Sequence, residues 1–271
     1  MSLGLRWIAN AGRYVTAPWR VLPGVVIIGA QRGGTTSLHR YLVEHPDVHA
    51  AQRKEVHYFD LHYGKSTFWY RGHFPTRHAV GPTGVSIDAT PYMLFHPLAP
   101  QRASADLPET RFIAILRDPV ERAHSQWAHN LQRGIGPDDF EQALSRELGQ
   151  VDQLTEDLRS GRIAHSLEHQ RYSFIRRGEY VDQLERWWAE VGRERVLVLA
   201  SEDLFARPGE VLAEVHAFVG LQPHLNAGGD PALHAASRSA MLVETRDRLR
   251  AHFRPFNERL FQRLGRTLPW Q

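Results

Sequence analysis

The 271-residue sequence contains no cysteine. A disulfide framework, a thiolate metal site and a cysteine nucleophile are therefore excluded. No run of about 18 apolar residues occurs, so no membrane-spanning helix is expected. Internal repeats and low-complexity linkers are also missing. Hydrophobic residues make up 42% and charged residues 23%, a globular profile with material for one sizeable core. The formal net charge is only +3, and arginine supplies nearly all of the positive charge. Its planar fork suits phosphate and sulfate oxygens. The basic residues are dispersed, with no recognition helix or aromatic–basic stacking pattern, so no nucleic-acid partner is expected.

Residues 1–23 carry Leu3, Leu5, Trp7, Ile8, Tyr14, Val15 and Trp19 among Arg6, Arg13 and Arg20. They lack the apolar block and small-residue cleavage site of a signal peptide. They read as an N-terminal extension packed on a single domain at 24–271, with peripheral membrane contact as the other use of such a stretch. A cytoplasmic location is expected.

Val25-Val26-Ile27-Ile28, Phe112-Ile113-Ala114-Ile115-Leu116 and Val196-Leu197-Val198-Leu199 are continuous apolar runs, as in strands buried on both faces. Val85-Ser86-Ile87 is a weaker strand. The first run leads into a helix with Leu38, Tyr41 and Leu42 on one face, closed by Pro46. The second leads into a helix capped by Asp118, with Pro119 at its first position and Glu121 completing a capping box. The helix after the third run starts near Pro208 and stops at Gly220. Repeated strand–turn–helix units predict an α/β domain, a P-loop-like parallel sheet with helices on both faces. Its ligands belong at the carboxyl ends of the strands.

Gly29-Ala30-Gln31-Arg32-Gly33-Gly34-Thr35-Thr36-Ser37 joins the first strand to its helix. The glycines let backbone N–H groups turn inward, the helix N-terminus adds unpaired N–H groups, and three hydroxyls follow. The glycine spacing fits a nucleotide-binding P-loop, but Thr35 stands at the lysine place and Arg32 supplies the charge from inside the loop. That argues against an ATP- or GTP-dependent kinase, which remains the alternative reading. Arg117, ending the second strand, and Ser125, on its helix, form a candidate second anion site. Glu55 and His57 lie two apart in Lys54-Glu55-Val56-His57-Tyr58-Phe59-Asp60; in extended chain they would face one way, and either can take a proton.

Together these segments resemble the PAPS-dependent sulfotransferases (PAPS is 3′-phosphoadenosine-5′-phosphosulfate), in their bacterial and heparan-sulfate-type branch. Gly29–Leu38 is similar to the loop that binds the 5′-phosphosulfate, Lys54–Asp60 to the K-E-x-H-[FY]-F-D segment, and Asp88-Ala89-Thr90-Pro91 to the [DE]-x-[ST]-P turn. Residues 116–125 resemble the L-R-[DN]-P-x-x-R-x-x-S segment that binds the 3′-phosphate. Gly178-Glu179-Tyr180 with Leu184 and Trp187, and the closing Leu264–Trp270, complete the order. The resemblance implies that Arg32, Gly33, Gly34, Thr35, Thr36 and Ser37 hold the 5′ end. It gives Arg117, Ser125 and Tyr180 to the nucleotide's other parts, with Arg238 covering it from a late loop. Glu55 is the implied base, with His57 as orienting group or substitute base, and Arg32 as electrostatic stabiliser. PAPS would be the co-substrate and PAP, its desulfated form, the product. Two departures stand out: the heparan-sulfate enzymes carry lysine where Arg32 stands, and arginine, a poor proton donor, is left with electrostatic stabilisation only; they also carry lysine where Ala89 stands, so its acceptor-side role is missing here and heparan sulfate is not the expected acceptor.

The acceptor, a small-molecule, glycan or lipid hydroxyl or amine, is expected between loops 61–83 and 130–172. There Tyr63, Trp69 and Phe74 are either stacking surfaces or core. One further pattern, His165-Ser166-Leu167-Glu168-His169, matches the H-x-x-E-H of zinc hydrolases. Arg162 and Arg171 beside it oppose a cation, so it reads as a solvated helical face and no metal is expected.

Overall fold

In the computed structural model, which describes residues 12–224 and 241–270, Val25–Gly29 forms the central strand of a five-stranded sheet. In chain order the elements are β1 (Val25–Gly29), α1 (Thr35–Val43), β2 (Val48–Ala50), α2 (Tyr58–Leu61), α3 (Thr67–Arg71), α4 (Arg77–Val80), β3 (Val85–Ala89), α5 (Ala99–Asp106), β4 (Arg111–Leu116), α6 (Pro119–Gln132), α7 (Phe140–Leu148), α8 (Val151–Arg159), α9 (Leu167–Arg171), α10 (Tyr180–Val191), β5 (Val196–Ala200), α11 (Ser201–Ala206), α12 (Pro208–Val219) and α13 (Val243–Leu264). The strand order is β2-β3-β1-β4-β5, and every pairing is parallel.

The apolar runs follow from this position. Val26 and Ile28 pack on one face with Phe112, Ala114, Val196 and Val198, against Tyr180, Leu184 and Trp187 of α10. Val25 and Ile27 pack on the other with Ile113, Ile115 and Leu199, against α1 (Leu38, Tyr41, Leu42) and α12 (Val211, Leu212, Val215). With both faces covered, the interior positions of these strands are apolar; Arg111, the exposed first residue of β4, lies at the edge of that cover. Gly220 closes α12 in the left-handed conformation (φ 79°), as its position predicts.

Two local expectations are corrected, and one strand goes unannounced: β2 has only three residues at the sheet edge, too short to carry a period. α11 follows β5 without a loop, so the first helix after that strand begins at Ser201 and not near Pro208. Asp118 caps α6 as expected, its carboxylate accepting from the N–H groups of Val120 (2.8 Å) and Glu121 (3.1 Å). Glu121, however, does not close a capping box. The Asp118 N–H donates to Glu202 of α11 (3.0 Å), while Glu121 pairs with Arg246 of α13.

The described part of the N-terminal segment packs on the α3–α4 region. Arg13 Nε donates to the Gly72 carbonyl (2.7 Å), Arg20 to that of Phe74 (2.6 Å), and Ala17 is fully buried. No helix among the described residues is long and apolar enough to cross a membrane.

Candidate active site

The loop from β1 to α1 is pinned over the end of β4. The Ala30 N–H donates to the Ile115 carbonyl (2.7 Å), and the Gly33 N–H to the Ala30 carbonyl (2.9 Å). A Cβ on Gly33 would come within 2.5 Å of that Ile115 oxygen, so only glycine permits the approach. Gly34, at φ 95°, turns the chain into α1, whose first-turn N–H groups have no partner within the helix. Arg32 sits in the left-handed region (φ 67°), a backbone cost that non-glycine residues bear when their surroundings demand it.

This seating brings the two expected anion sites together. A cleft of about 620 Å³ opens at the carboxyl end of the sheet, and both Arg32 and Arg117 line it. Burial and the neighbouring charge of Arg117 push the Arg32 guanidinium below its ordinary value. Neither arginine has a carboxylate partner among the described residues. Glu55, Glu121 and Glu202 also line the cleft, but two adjacent arginines with no carboxylate in ion-pair contact keep their donors for an anion of more than one charge. Arg32 Nε donates to Ser125 Oγ (3.1 Å) on α6, so the loop and the second site are physically joined.

Across the cleft lies Glu55. Its N–H donates to the Ala89 carbonyl at the end of β3 (3.1 Å), which fixes it to the sheet. The segment is not extended as expected: Glu55 (φ 62°) and His57 (φ 58°) both adopt left-handed backbone, and α2 starts at Tyr58. The turn nevertheless brings the pair together, with His57 Nε2 3.4 Å from Glu55 Oε2. His57 Nδ1 is 2.9 Å from the buried carboxylate of Asp60. Burial alone would lower His57, but the two carboxylates win and hold it up at about 9. Burial would raise Glu55, yet the His57 hydrogen bond and the Lys54 charge hold it down at about 2. At neutral pH the set is a carboxylate–imidazolium–carboxylate relay, with one face of Glu55 on the cleft.

Gly34, Thr35, Thr36 and Ser37 line the cleft. Gly33, His57, Ser125 and Tyr180 do not: Gly33 packs against the Ile115 carbonyl, His57 and Ser125 reach the cleft only through Glu55 and Arg32, and buried Tyr180 donates its hydroxyl to the Arg117 carbonyl (2.9 Å), holding that residue's backbone. Arg238 falls outside the described residues. Phe74 is fully buried, and Tyr63 and Trp69 pack around Tyr58, so these aromatics belong to the core.

The H-x-x-E-H segment is neither a metal helix nor the solvated helical face expected of it. α9 begins at Leu167, so His165 lies off the helix and is exposed along with Glu168. His169 is buried, and both ring nitrogens are engaged, Nδ1 with the Tyr92 hydroxyl (2.7 Å) and Nε2 with the Thr155 hydroxyl (3.0 Å). No group of metal-ligating side chains forms among the described residues.

A model of the sulfotransferase domain matches residues 22–240. The chain belongs to the sulfotransferase family. It is 30% identical to mouse heparan sulfate glucosamine 3-O-sulfotransferase 6, over 93% of this chain and 74% of that protein. It is 24% identical to the membrane-associated sulfotransferase kil1 of Dictyostelium discoideum, over 92% of this chain and 67% of that one. A crystal structure of a sulfotransferase from Alicyclobacillus acidocaldarius matches with a TM-score of 0.73 at 25% identity, over 92% of this chain and 98% of that one. The heparan sulfate relatives are longer, this chain spanning 62% to 74% of their length. As a sulfotransferase the protein transfers a sulfuryl group, and the kinase and zinc-hydrolase readings fall away.

Sequence reasoning gave no site role to several cleft residues, among them Gln31, Lys54, His129, Ser201, Glu202 and Phe205. Gln31 is held by the buried Arg177, which donates to its side-chain carbonyl from 146 residues away. Ser201 and Glu202 arrive on α11, the helix no pattern announced. Asp60 stands in the quoted segment, and its place three residues beyond His57, one helical turn round, was its only signal.

Proposed function

We propose that this sulfotransferase uses PAPS as donor and carries out an in-line displacement on a hydroxyl or amine of a small-molecule, carbohydrate or lipid acceptor. The observation that carries the reading is the convergence of Arg32 and Arg117, neither ion-paired to a carboxylate among the described residues, in one cleft with Glu55 on its wall. The cleft fits a nucleotide bearing two anionic ends. The loop N–H groups, Thr35, Thr36 and Arg32 would hold the 5′ end, and Arg117 with Ser125 the 3′-phosphate. Phe205 offers a phenyl ring and Ser201 a hydroxyl to the part between.

PAPS supplies the sulfuryl group and leaves with the electron pair of the broken sulfur–oxygen bond on its phosphate. The protein's part is electrostatic and acid–base. Arg32 and the loop N–H groups stabilise charge as it develops, without reorganisation at the moment of reaction. Glu55 accepts the acceptor's proton. The His57 imidazolium, held between Glu55 and Asp60, fixes the carboxylate's orientation and tempers the charge it loses. A carboxylate held near about 2 is a weak base. It suits a transfer in which the acceptor's proton leaves late, once bond formation to sulfur has made it acidic.

The curated relatives named for heparan sulfate glucosamine 3-O-sulfation support a hydroxyl acceptor. Ala89, which is buried and offers only its backbone carbonyl to Glu55, leaves the acceptor side without a cation at that position. An acceptor less anionic than heparan sulfate follows. The test is calorimetry with PAP, then a screen of sugars, phenols and amines with labelled PAPS. Micromolar or tighter PAP binding and a labelled product are expected; absence of PAP binding sinks the reading.

A further inference from the structure

The chain has two lysines among its 33 basic residues, and one of them, Lys54, is in the cleft. Its Nζ donates to Thr36 Oγ1 in the first turn of α1 (3.0 Å) and to Glu55 Oε1 (3.3 Å). It therefore bridges the anion loop and the base, the two halves between which a transferring group must pass. Its side chain is 26% exposed, enough to meet a ligand and covered enough for its charge to count.

The other cations of the cleft are placed elsewhere. Arg32 is tied through Nε to Ser125 and neighbours Arg117, so its charge leans toward the α6 end. Thr35 occupies the place where a P-loop carries its lysine. The imidazolium of His57 also lies beside Glu55 but does not line the cleft, so the cation that faces a ligand next to Glu55 is Lys54. Its compact ammonium carries three N–H donors, two of them engaged by Thr36 and Glu55. An arginine fork could not donate to a hydroxyl, a carboxylate and a ligand oxygen in three directions from one atom.

We propose that Lys54 is a catalytic residue whose ammonium binds the oxygens of the sulfuryl group in transit between donor and acceptor. This rests on the PAPS reading given above. In the transfer, the acceptor–sulfur bond forms as the sulfur–bridging-oxygen bond breaks, the electron pair stays on the departing phosphate, and the acceptor's proton goes to Glu55. The three remaining sulfuryl oxygens carry negative charge throughout. Lys54 neutralises them beside the base, so that Glu55⁻ and the sulfuryl group can approach one another. The ionisable groups around this point are Glu55 and His57 on the same segment, His39 on α1 and His129 on α6. Burial and then the Lys54 charge hold His39 near 4, so it adds no competing cation at neutral pH. Burial and Arg32 likewise lower His129.

The competing role is a structural one, in which Lys54 only neutralises Glu55. The two roles separate without any acceptor, by calorimetry of the full chain with PAPS and with PAP, which differ by the sulfuryl group alone. For Lys54→Met, PAPS affinity is expected to fall roughly 10- to 100-fold, the worth of a charge-assisted hydrogen bond, while PAP affinity stays within about threefold. Lys54→Arg keeps the charge and is expected to recover part of the loss. Retained PAP binding also reports that each variant is folded, and Lys54→Arg serves if Lys54→Met does not fold. Equal weakening of PAPS and PAP, or no weakening of PAPS, would overturn the proposal. Wild-type protein that bound neither nucleotide would overturn the donor reading and this proposal with it. A wild type that binds both, with a Lys54→Met variant that does not discriminate, would remove only the role of Lys54.

Discussion

Arg32 and Ser125, 93 residues apart in sequence, meet through a 3.1 Å hydrogen bond from Nε to Oγ, tying the β1–α1 loop to the second turn of α6. An anion that spans the cleft would find both residues already placed. Such preorganisation lowers the ordering cost of binding.

Arg117 completes the pair, and its removal is the direct test of the second anion site. Arg117→Ala is expected to weaken PAP by roughly 10- to 100-fold, as for loss of a charge-assisted contact. Calorimetry measures it. An unchanged dissociation constant would take Arg117 out of the nucleotide site.

Glu55→Gln keeps the shape of the side chain and removes its basicity. Turnover is expected to fall ~10²–10⁴-fold, with PAP affinity nearly unchanged. Single-turnover transfer of labelled sulfate from PAPS, at saturating acceptor, reads the chemical step. Full turnover in the variant would assign the proton to another group.

The identity of that group shows in the pH profile. His57 is raised to about 9, so below that pH it is the imidazolium that orients Glu55. With a hydroxyl acceptor, kcat/KM is expected to hold through neutrality and to fall as pH rises through about 9. If His57 were itself the base, activity would instead rise through that pH as the ring lost its proton. Asp60→Asn removes one of the two carboxylates that raise His57 and should move the alkaline fall to lower pH.

These elements differ in how far the sequence disclosed them. The β1–α1 loop was legible because its chemistry is local: an apolar run buried on both faces, glycines where the backbone must approach β4, and a helix start, all within Val25–Leu38. Asp118 was legible for the same reason. What sequence could not show is non-local or conformational. Glu202 displaced Glu121 as the partner of the Asp118 N–H from 84 residues away. Glu55 and His57 took left-handed backbone without a glycine to announce it. Their pairing was foreseen from an extended chain that does not exist; it arises because the turn folds His57 back onto Glu55 and Asp60 closes on it from α2.

The last prediction concerns what holds the Arg117 side of the cleft in place. Glu147, at the end of α7, is almost fully buried and accepts three backbone hydrogen bonds: Oε2 from Phe174 (2.7 Å) and Ile175 (2.6 Å), Oε1 from Arg176 (2.8 Å). This turn leads directly to Tyr180, whose hydroxyl holds the Arg117 carbonyl. Glu147→Gln replaces one acceptor oxygen with an amide that can only donate. One backbone N–H would then face a donor in a buried site, where water cannot compensate. Leaving such a group unsatisfied, with weaker bonds at the others, is expected to cost about 2–4 kcal/mol. At roughly 2–4 °C per kcal/mol for a chain of this size, the melting temperature should drop by about 4–16 °C. Because the strain falls on the segment that carries Tyr180, PAP affinity should weaken as well, and added PAP should recover part of the lost melting temperature by binding the native state. A melting curve indistinguishable from wild type would mean that the turn at 174–176 is held by its other contacts, among them the Arg122 guanidinium on the Phe174 carbonyl.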